Sequence, residues 1–303
     1  MPSTSKAQQK LFGMAYAVRK GEMKRSDVDK TVLDIVDSDM TDEQIKDFTR
    51  MKTLKEYIEE SILDVDDLVV DDNPFIEKWL KENCEIQGSY TIKNGVVNVK
   101  GSVKITNKNI KSIDIQFEKV SGSFECNGCI NLKSLKGAPK KVGRDFYCFG
   151  CEYLTSLEGA PKKVEWDFDC SYCNSLTSLQ GAPKEVDGNF DCSYCNSLTS
   201  LKGAPKEVKW NFDCSYCNSL TSLKGTPKEV GGYFNCSYCP NLKSLKGAPI
   251  EVDGNFECRG CESLTSLEGA PEKVGGSFCC DGCKSLKSLQ GAPKYKKIIS
   301  KLK

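Results

Sequence analysis

The stretch FDCSYCNSLTSL at 168–179 returns at 190–201 and again at 212–223. Each copy carries Cys-x-x-Cys, a spacing that can chelate zinc or shuttle electrons between thiol and disulfide. The first cysteine of the pair falls at Cys126, Cys148, Cys170, Cys192, Cys214, Cys236, Cys258 and Cys280, a step of 22 residues throughout. The second follows three residues later, from Cys129 to Cys283, leaving only Cys84 and Cys279 of the 18 cysteines outside the frame. The chain has no histidine. Ser-His and Cys-His nucleophile pairs are therefore excluded, and a zinc site would have to use cysteine alone or with carboxylates. Two readings of the pairs stand. Pairs in neighbouring coils, about 4.8 Å apart, could converge on a four-cysteine zinc site. Alternatively the pairs are core, because free cysteine packs as a small hydrophobe. Eight pairs at one fixed position follow more simply from a stacking rule, so the expectation is core, with no cofactor. No secretory leader is visible, which places the thiols in a reducing compartment where disulfides are rare. Cys279 stands at an expected outward position and is the candidate for a reactive thiol.

The elements that must position these thiols repeat as strictly. Phe lies two residues before the first cysteine in all eight copies, from Phe124 to Phe278. Two leucines follow six and nine residues after it, as in Leu176 and Leu179, then Gly-Ala-Pro or Gly-Thr-Pro, then a valine such as Val186 or Val208. Phe and the first cysteine alternate with polar residues, the period of a strand. The Leu-x-x-Leu and Gly-x-Pro that follow must turn the chain. One short strand and one return path per unit describe a solenoid coil, which cannot bury its apolar face alone and gains stability only by stacking. Residues 97–120 read as a divergent first coil, with Val103 and Ile105 in place of Phe and Cys, and Ile110 and Ile113 in place of the leucines.

The unit resembles the leucine-rich repeat over about 100–295, on Phe212 and Cys214 as strand positions, Cys217 at the ladder position and Leu220 and Leu223 after it. One extra residue between ladder and leucine is similar to the cysteine-containing subclass. The Gly-Ala-Pro return resembles short-repeat bacterial effectors, and the wording of the repeat resembles leucine-rich proteins of tailed phages. Val208 precedes Phe212 by four residues where the pattern has three, which predicts a bulge or early turn. The resemblance implies a leucine-rich-repeat solenoid, with short parallel strands on a concave face and an extended or turn-like convex side.

On that concave face the outward residues form two polar columns. Asp145, Asp167, Asn189, Asn211 and Asn255 precede Phe, and Asp169, Asp191, Asp213, Asn235 and Glu257 follow it. Asp is a poor strand former, and like charges in file disfavour a sheet. Such a local conflict can mark a functional surface. These ten residues are the candidate site for a basic or hydrogen-bond-donating protein partner; the competing reading is a solvated face copied by duplication. Ser134, Ser156 and their equivalents predict a hydroxyl ladder serving the turns, and Tyr172, Tyr194, Tyr216 and Tyr238 an aromatic stack. Lysines cluster instead at the Gly-Ala-Pro return, where intervening glutamates argue against a nucleic-acid stripe.

Residues 1–84 have a different grammar. Charge runs from basic in 1–25 to strongly acidic in 26–84, although the whole chain carries only +1. Helical spacing and capping signals predict an α-helical N-terminal region. Ser26 opens a helix through Val36, Thr41 with Gln44 and Thr53 with Glu56 form capping boxes, and Asn73-Pro74 starts a helix over 75–84. The acidic stretch 64–72 reads as a hinge. The segments 5–22 and 42–52 resemble a small uncharacterised family of phages and bacteria, and 51–63 resembles amphipathic leaders of phage proteins. Leu54, Tyr57, Ile58, Ile62 and Leu63 are the candidate docking helix.

The expected organisation is a small helical region (1–50), amphipathic helices with the hinge (51–89), a cap and first coil (90–120), eight repeats (121–293) and a basic tail (294–303). No apolar run is long enough to span a bilayer. The functional expectation is a non-catalytic, phage-encoded protein-interaction module in the cytoplasm of an infected bacterium, localised by its helical arm. The alternative is a structural or cargo component of a virion. The sequence names neither the partner nor the oligomeric state.

Overall fold

The computed structural model describes residues 6–28, 30–37, 73–293 and 298–299. The chain divides into a unit over Met1–Val70 and a unit over Asp71–Lys303. In the first, helices α1 (Lys6–Arg19) and α2 (Lys30–Val36) are joined through a 3-10 turn at Arg25–Asp27. The helix expected from Ser26 thus begins only at Lys30. Ser26 lies inside the 3-10 turn, its hydroxyl donating to Asp27 at 2.8 Å rather than capping a helix. Ala15, Ala17, Val18 and Val32 are buried, and Arg25 grips Asp37 through two hydrogen bonds of 2.9 and 2.7 Å. The capping boxes at Thr41 and Thr53, the docking helix and the acidic hinge lie outside the described residues.

The second unit is a parallel-strand β-solenoid. Its entrance is α3 (Pro74–Asn83), where the Asn73 side chain accepts from the Ile76 amide and Pro74 takes the first turn, which needs no N–H. Ile76, Trp79 and Leu80 form the buried stripe of α3 and belong to the same core as the coils. Strands β1 (Cys84–Lys93) and β2 (Val96–Ile105) then form an antiparallel hairpin. Its two-residue turn is Asn94-Gly95, with φ of 51° and 73°, the left-handed pair that a type I′ hairpin requires. Gly88 and Gly101 face each other across it; a Cβ on either would lie within 2.2 Å of the opposite strand's carbonyl oxygen. On its other edge β2 serves two ladders, pairing with β3 (Gln116–Val120) through Val96–Val99 and with β4 (Phe124–Glu125) through Val103 and Lys104.

From there each coil contributes two strands of two residues, not the single strand that the sequence suggests. One holds Phe and the polar residue after it; the other holds the valine and the residue before it, as in Phe190–Asp191 and Glu207–Val208. Both pair in parallel, in register, with their counterparts one coil away, Phe190 with Phe212 and Val208 with Val230. The chain bends between them at 187–189 and its equivalents, which is where the four-residue spacing from valine to Phe predicts an early turn.

The interior is a set of columns. The phenylalanines stack with ring centroids 5.1–5.5 Å apart, and every coil's Phe, both frame cysteines and first leucine are buried. The divergent first coil follows the same plan, with Val103, Ile105, Ile110 and Ile113 all buried. At the return, Gly203 has φ of 93°, and a Cβ there would lie 2.7 Å from the backbone of the coil before, so both conformation and contact demand glycine. No helix among the described residues is long and apolar enough to cross a membrane.

Candidate functional site

The thiols sit where the stacking rule puts them. From Cys151 on, the second cysteine of each coil donates to the carbonyl of the first cysteine of the coil before: Cys195 to Cys170 at 3.2 Å, Cys217 to Cys192 at 3.3 Å, Cys261 to Cys236 at 3.2 Å. The first cysteine, as at Cys192, donates to the Asp213 carbonyl of the next coil at 3.4 Å. Burial pushes the Cys192, Cys214 and Cys217 thiols well above the ordinary range. A neutral, enclosed thiol is a poor nucleophile. Cys279 corrects an expectation: it is 1 % exposed, not outward and open. The closing strand Ile298–Ile299 pairs alongside it. At the end of the stack the position that is open in inner coils is covered.

The strand face carries the polar columns, and the structure gives each a structural task. In the column before Phe, side-chain oxygens accept the backbone N–H of the same position one coil on. Asp145 accepts from Asp167 at 3.1 Å, Asp167 from Asn189 at 2.7 Å, Asn189 from Asn211 at 3.2 Å and Asn211 from Tyr233 at 2.8 Å. Asn255 continues the rule with the Ser277 amide. In the column after Phe, the side chain accepts from the backbone two residues ahead. Asp169, Asp191 and Asp213 each take the N–H of Ser171, Ser193 and Ser215 at 2.8 Å, and Asn235 takes that of Ser237 at 3.0 Å. This Asx turn is the physical reason for aspartate at the end of a strand: it closes the turn that follows. Glu257, with a longer side chain, instead lies 3.6 Å from Arg259.

Those tasks use one carboxylate oxygen each. The second oxygens of Asp169 and Asp191 have no hydrogen-bond partner among the described residues, and in-register pairing holds Asp169, Asp191 and Asp213 side by side. They line a groove of about 360 Å3 together with Asp167, Asn189 and Asn211, with Tyr147 and Phe149 at one end and Tyr233 at the other. Burial first, then the flanking aspartates, raises the Asp191 carboxyl to about 6 against the hydrogen bonds from Ser193, and burial raises Asp169. Burial and the surrounding aspartates raise the Tyr147 phenol to about 12. Of the ten candidate residues, the groove gathers Asp167, Asp169, Asn189, Asp191, Asn211 and Asp213; Asp145, Asn235, Asn255 and Glu257 lie beyond it along the same columns. Its aromatic ends were not among the candidates, although Tyr147 and Tyr233 occupy the same two columns and only their type hides them.

The serine ladder is present, Ser156 and Ser222 each accepting a backbone N–H two residues on at 3.1 Å. The four tyrosines stack with centroids 4.4–4.6 Å apart. On the return side, lysines are met by acids of neighbouring coils, as in Lys163 and Lys209 on Asp187 at 3.0 and 2.7 Å and Lys273 on Glu251 at 2.8 Å. Comparison with protein-family models, with curated proteins and with solved structures finds no match to this chain.

Proposed function

We propose that the chain is a non-catalytic binding module of leucine-rich-repeat type, and that the aspartate groove of its strand face grips a basic segment of a protein partner. The observation that carries this is the file of Asp169, Asp191 and Asp213 at the floor of a groove with aromatic ends. Three carboxylates in register repel one another, and burial disfavours the charged form of Asp169 and Asp191 further. The Asx turns require only one oxygen of each side chain, and asparagine would serve them, as it does at Asn235. A cationic side chain in the groove relieves the repulsion and supplies donors to the second oxygens. The resemblance to tailed-phage proteins puts the partner in an infected bacterium or a virion.

The test compares the immobilised full chain with its D169N/D191N/D213N variant, which keeps every acceptor of the turns. Quantitative mass spectrometry of retained host proteins should show a set lost with the variant and eluted from the wild type by salt. Identical retention by both proteins rejects the groove as the binding surface.

A further inference from the structure

We infer that Trp166 and Trp210 form a slot for an arginine side chain at the rim of the aspartate groove. The inference rests on the groove reading and deepens it: the basic segment is recognised by a guanidinium and not by charge alone.

The slot is built on the column two residues before Phe. Five of the eight members of that column are glycine, one is Arg144 and two are Trp166 and Trp210. The fold has a reason for the glycines. A Cβ on Gly188, Gly232 or Gly276 would lie 2.1–2.4 Å from a side-chain oxygen of the coil before, that of Asp167, Asn211 or Asn255. Tryptophan answers no such need. Trp166 is 57 % exposed and Trp210 is 62 % exposed. Indoles that open contribute little to the core, whereas tryptophan is enriched among the anchors of binding surfaces.

The backbone holds the two indoles one coil either side of Gly188. The Gly188 N–H donates to the Trp166 carbonyl at 3.0 Å, and the Trp210 N–H donates to the Gly188 carbonyl at 3.3 Å. At about 4.8 Å per coil, the tryptophans rise from levels about 9.6 Å apart. Gly188 contributes no side chain between them. A cation centred over it stands about 4.8 Å from either level, within the about 6 Å over which an aromatic face attracts a cation. The molecule already uses Trp166 in this way, for the Arg144 guanidinium lies over its ring at 5.7 Å from the centroid. Arg144 stands on the coil before and Gly188 on the coil after, so the two approaches to Trp166 do not compete.

Charge points the same way. Asp167 follows Trp166, lines the groove and lies against Gly188, so slot and groove share its carboxylate. Asp187, next to Gly188 on the return side, is engaged by Lys163 and Lys209 at 3.0 and 2.7 Å. Asp167 is in no ion pair among the described residues, which leaves the groove side as the approach for a cation. A guanidinium is planar and weakly hydrated, so it stacks on the indoles while its N–H groups meet the carboxylate. The compact, strongly hydrated ammonium of lysine gains less from the rings.

The test titrates the full chain with tetra-arginine and tetra-lysine peptides of equal charge, by isothermal calorimetry at one salt concentration. The wild type should bind the arginine peptide about tenfold more tightly, through contact with two rings. W166A/W210A should bring the arginine peptide down to the lysine level and leave the lysine peptide unchanged, while D169N/D191N/D213N should weaken both. Equal binding of the two peptides by the wild type overturns the slot and leaves the groove standing. So does a preference that survives W166A/W210A, or an equal loss of both peptides in that variant. Binding of neither peptide, or binding indifferent to D169N/D191N/D213N, overturns the groove reading and this inference with it.

Discussion

Two residues after the first cysteine of every coil the backbone turns left-handed, and the central and flanking coils meet that demand differently. In the centre the residue is tyrosine: Tyr172, Tyr194, Tyr216 and Tyr238 hold φ of 56–58°. On either side it is glycine: Gly128, Gly150, Gly260 and Gly282 hold φ of 61–77°. Left-handed backbone costs a residue with a Cβ about 1–2 kcal/mol and costs glycine almost nothing. The centre offsets its strain by stacking the rings, each worth about 0.5–1.5 kcal/mol beyond the area that it buries. The residue before the turn changes in step. In the centre it is a buried serine, Ser171 to Ser237, whose amide is held by the Asx turn; outside it is Asn127, Phe149, Arg259 or Asp281. Asn127 Oδ1, Arg259 Nε and Asp281 Oδ1 are buried without a hydrogen bond there. The frame of Phe, Cys, Leu, Pro and Val is common to all coils, so the core does not dictate the turn. The turn varies over a fixed core, and the aspartate groove spans the coils where it is built from tyrosine and serine.

Core substitutions should have the largest effect and should also grade along the stack. Phe212 packs its ring on Phe190 and Phe234, whereas among the described residues Phe278 stacks on Phe256 alone. Chemical denaturation should show Phe212→Ala costing about 3–5 kcal/mol and Phe278→Ala measurably less. Equal losses would mean that the coils do not couple through their neighbours.

Alkaline pH should break the whole stack next. The Cys170, Cys192, Cys214, Cys217 and Cys236 thiols are raised by burial, so the folded state binds their protons more tightly than the unfolded chain does. Stability is full below the unfolded thiol value near 9 and falls as pH rises past it, by up to ~1.4 kcal/mol per pH unit for each such thiol. Circular dichroism should show cooperative unfolding above pH ~9, and substituting valine at Cys192 and Cys214 should move it upward.

The turn comparison itself is sharpened by three variants measured in parallel. Tyr216→Ala keeps the strain and loses two ring contacts, so it should cost about 1–3 kcal/mol. Tyr216→Gly relieves the strain as it loses the stack and should come out about 1 kcal/mol better than the alanine variant. Gly260→Ala should also destabilise, because its Cβ would lie 2.7 Å from the Tyr238 ring at φ of 61°. If the glycine and alanine variants of Tyr216 are equally stable, the tyrosine turns carry no strain.

The smallest effect concerns the groove. The raised carboxyl of Asp191, at about 6, means that the folded state holds its proton through the range where the unfolded carboxyl has lost it. Stability should therefore decline as pH rises from ~4 to ~6, by on the order of 1–2 kcal/mol after solvent screening. Asp191→Asn should flatten that slope and stabilise the protein at neutral pH. A thermal-unfolding series that shows the same slope for both proteins would place the titration elsewhere.

Much of the coil was legible because the chain repeats a short rule: invariant Phe, paired Cys, Leu-x-x-Leu and Gly-Ala-Pro at fixed offsets give the pitch, the inward set and the turns. The stacked tyrosines and the serine ladder followed from the same columns. The hairpin was legible in principle, since Asn94-Gly95 lies between alternating apolar residues, but the boundary expected between 89 and 90 falls inside β1 and groups its first six residues with the helices. The second strand of each coil escaped because a lone valine between a lysine or glutamate and a turn has no period to detect.

The sequence by itself determined that the chain must form a stack of coils and which side chains fill it, because apolar residues recurring every 22 positions can be buried only by one another. It could not determine the duties of the polar columns. The oxygen of Asp167 meets an amide 22 residues away, Cys217 serves a carbonyl in another coil, and Ile299 pairs beside Cys279. Those contacts join residues far apart in the chain and exist only once the coils are in register, so only the tertiary structure decides which aspartate is part of the scaffold and which oxygen it leaves over.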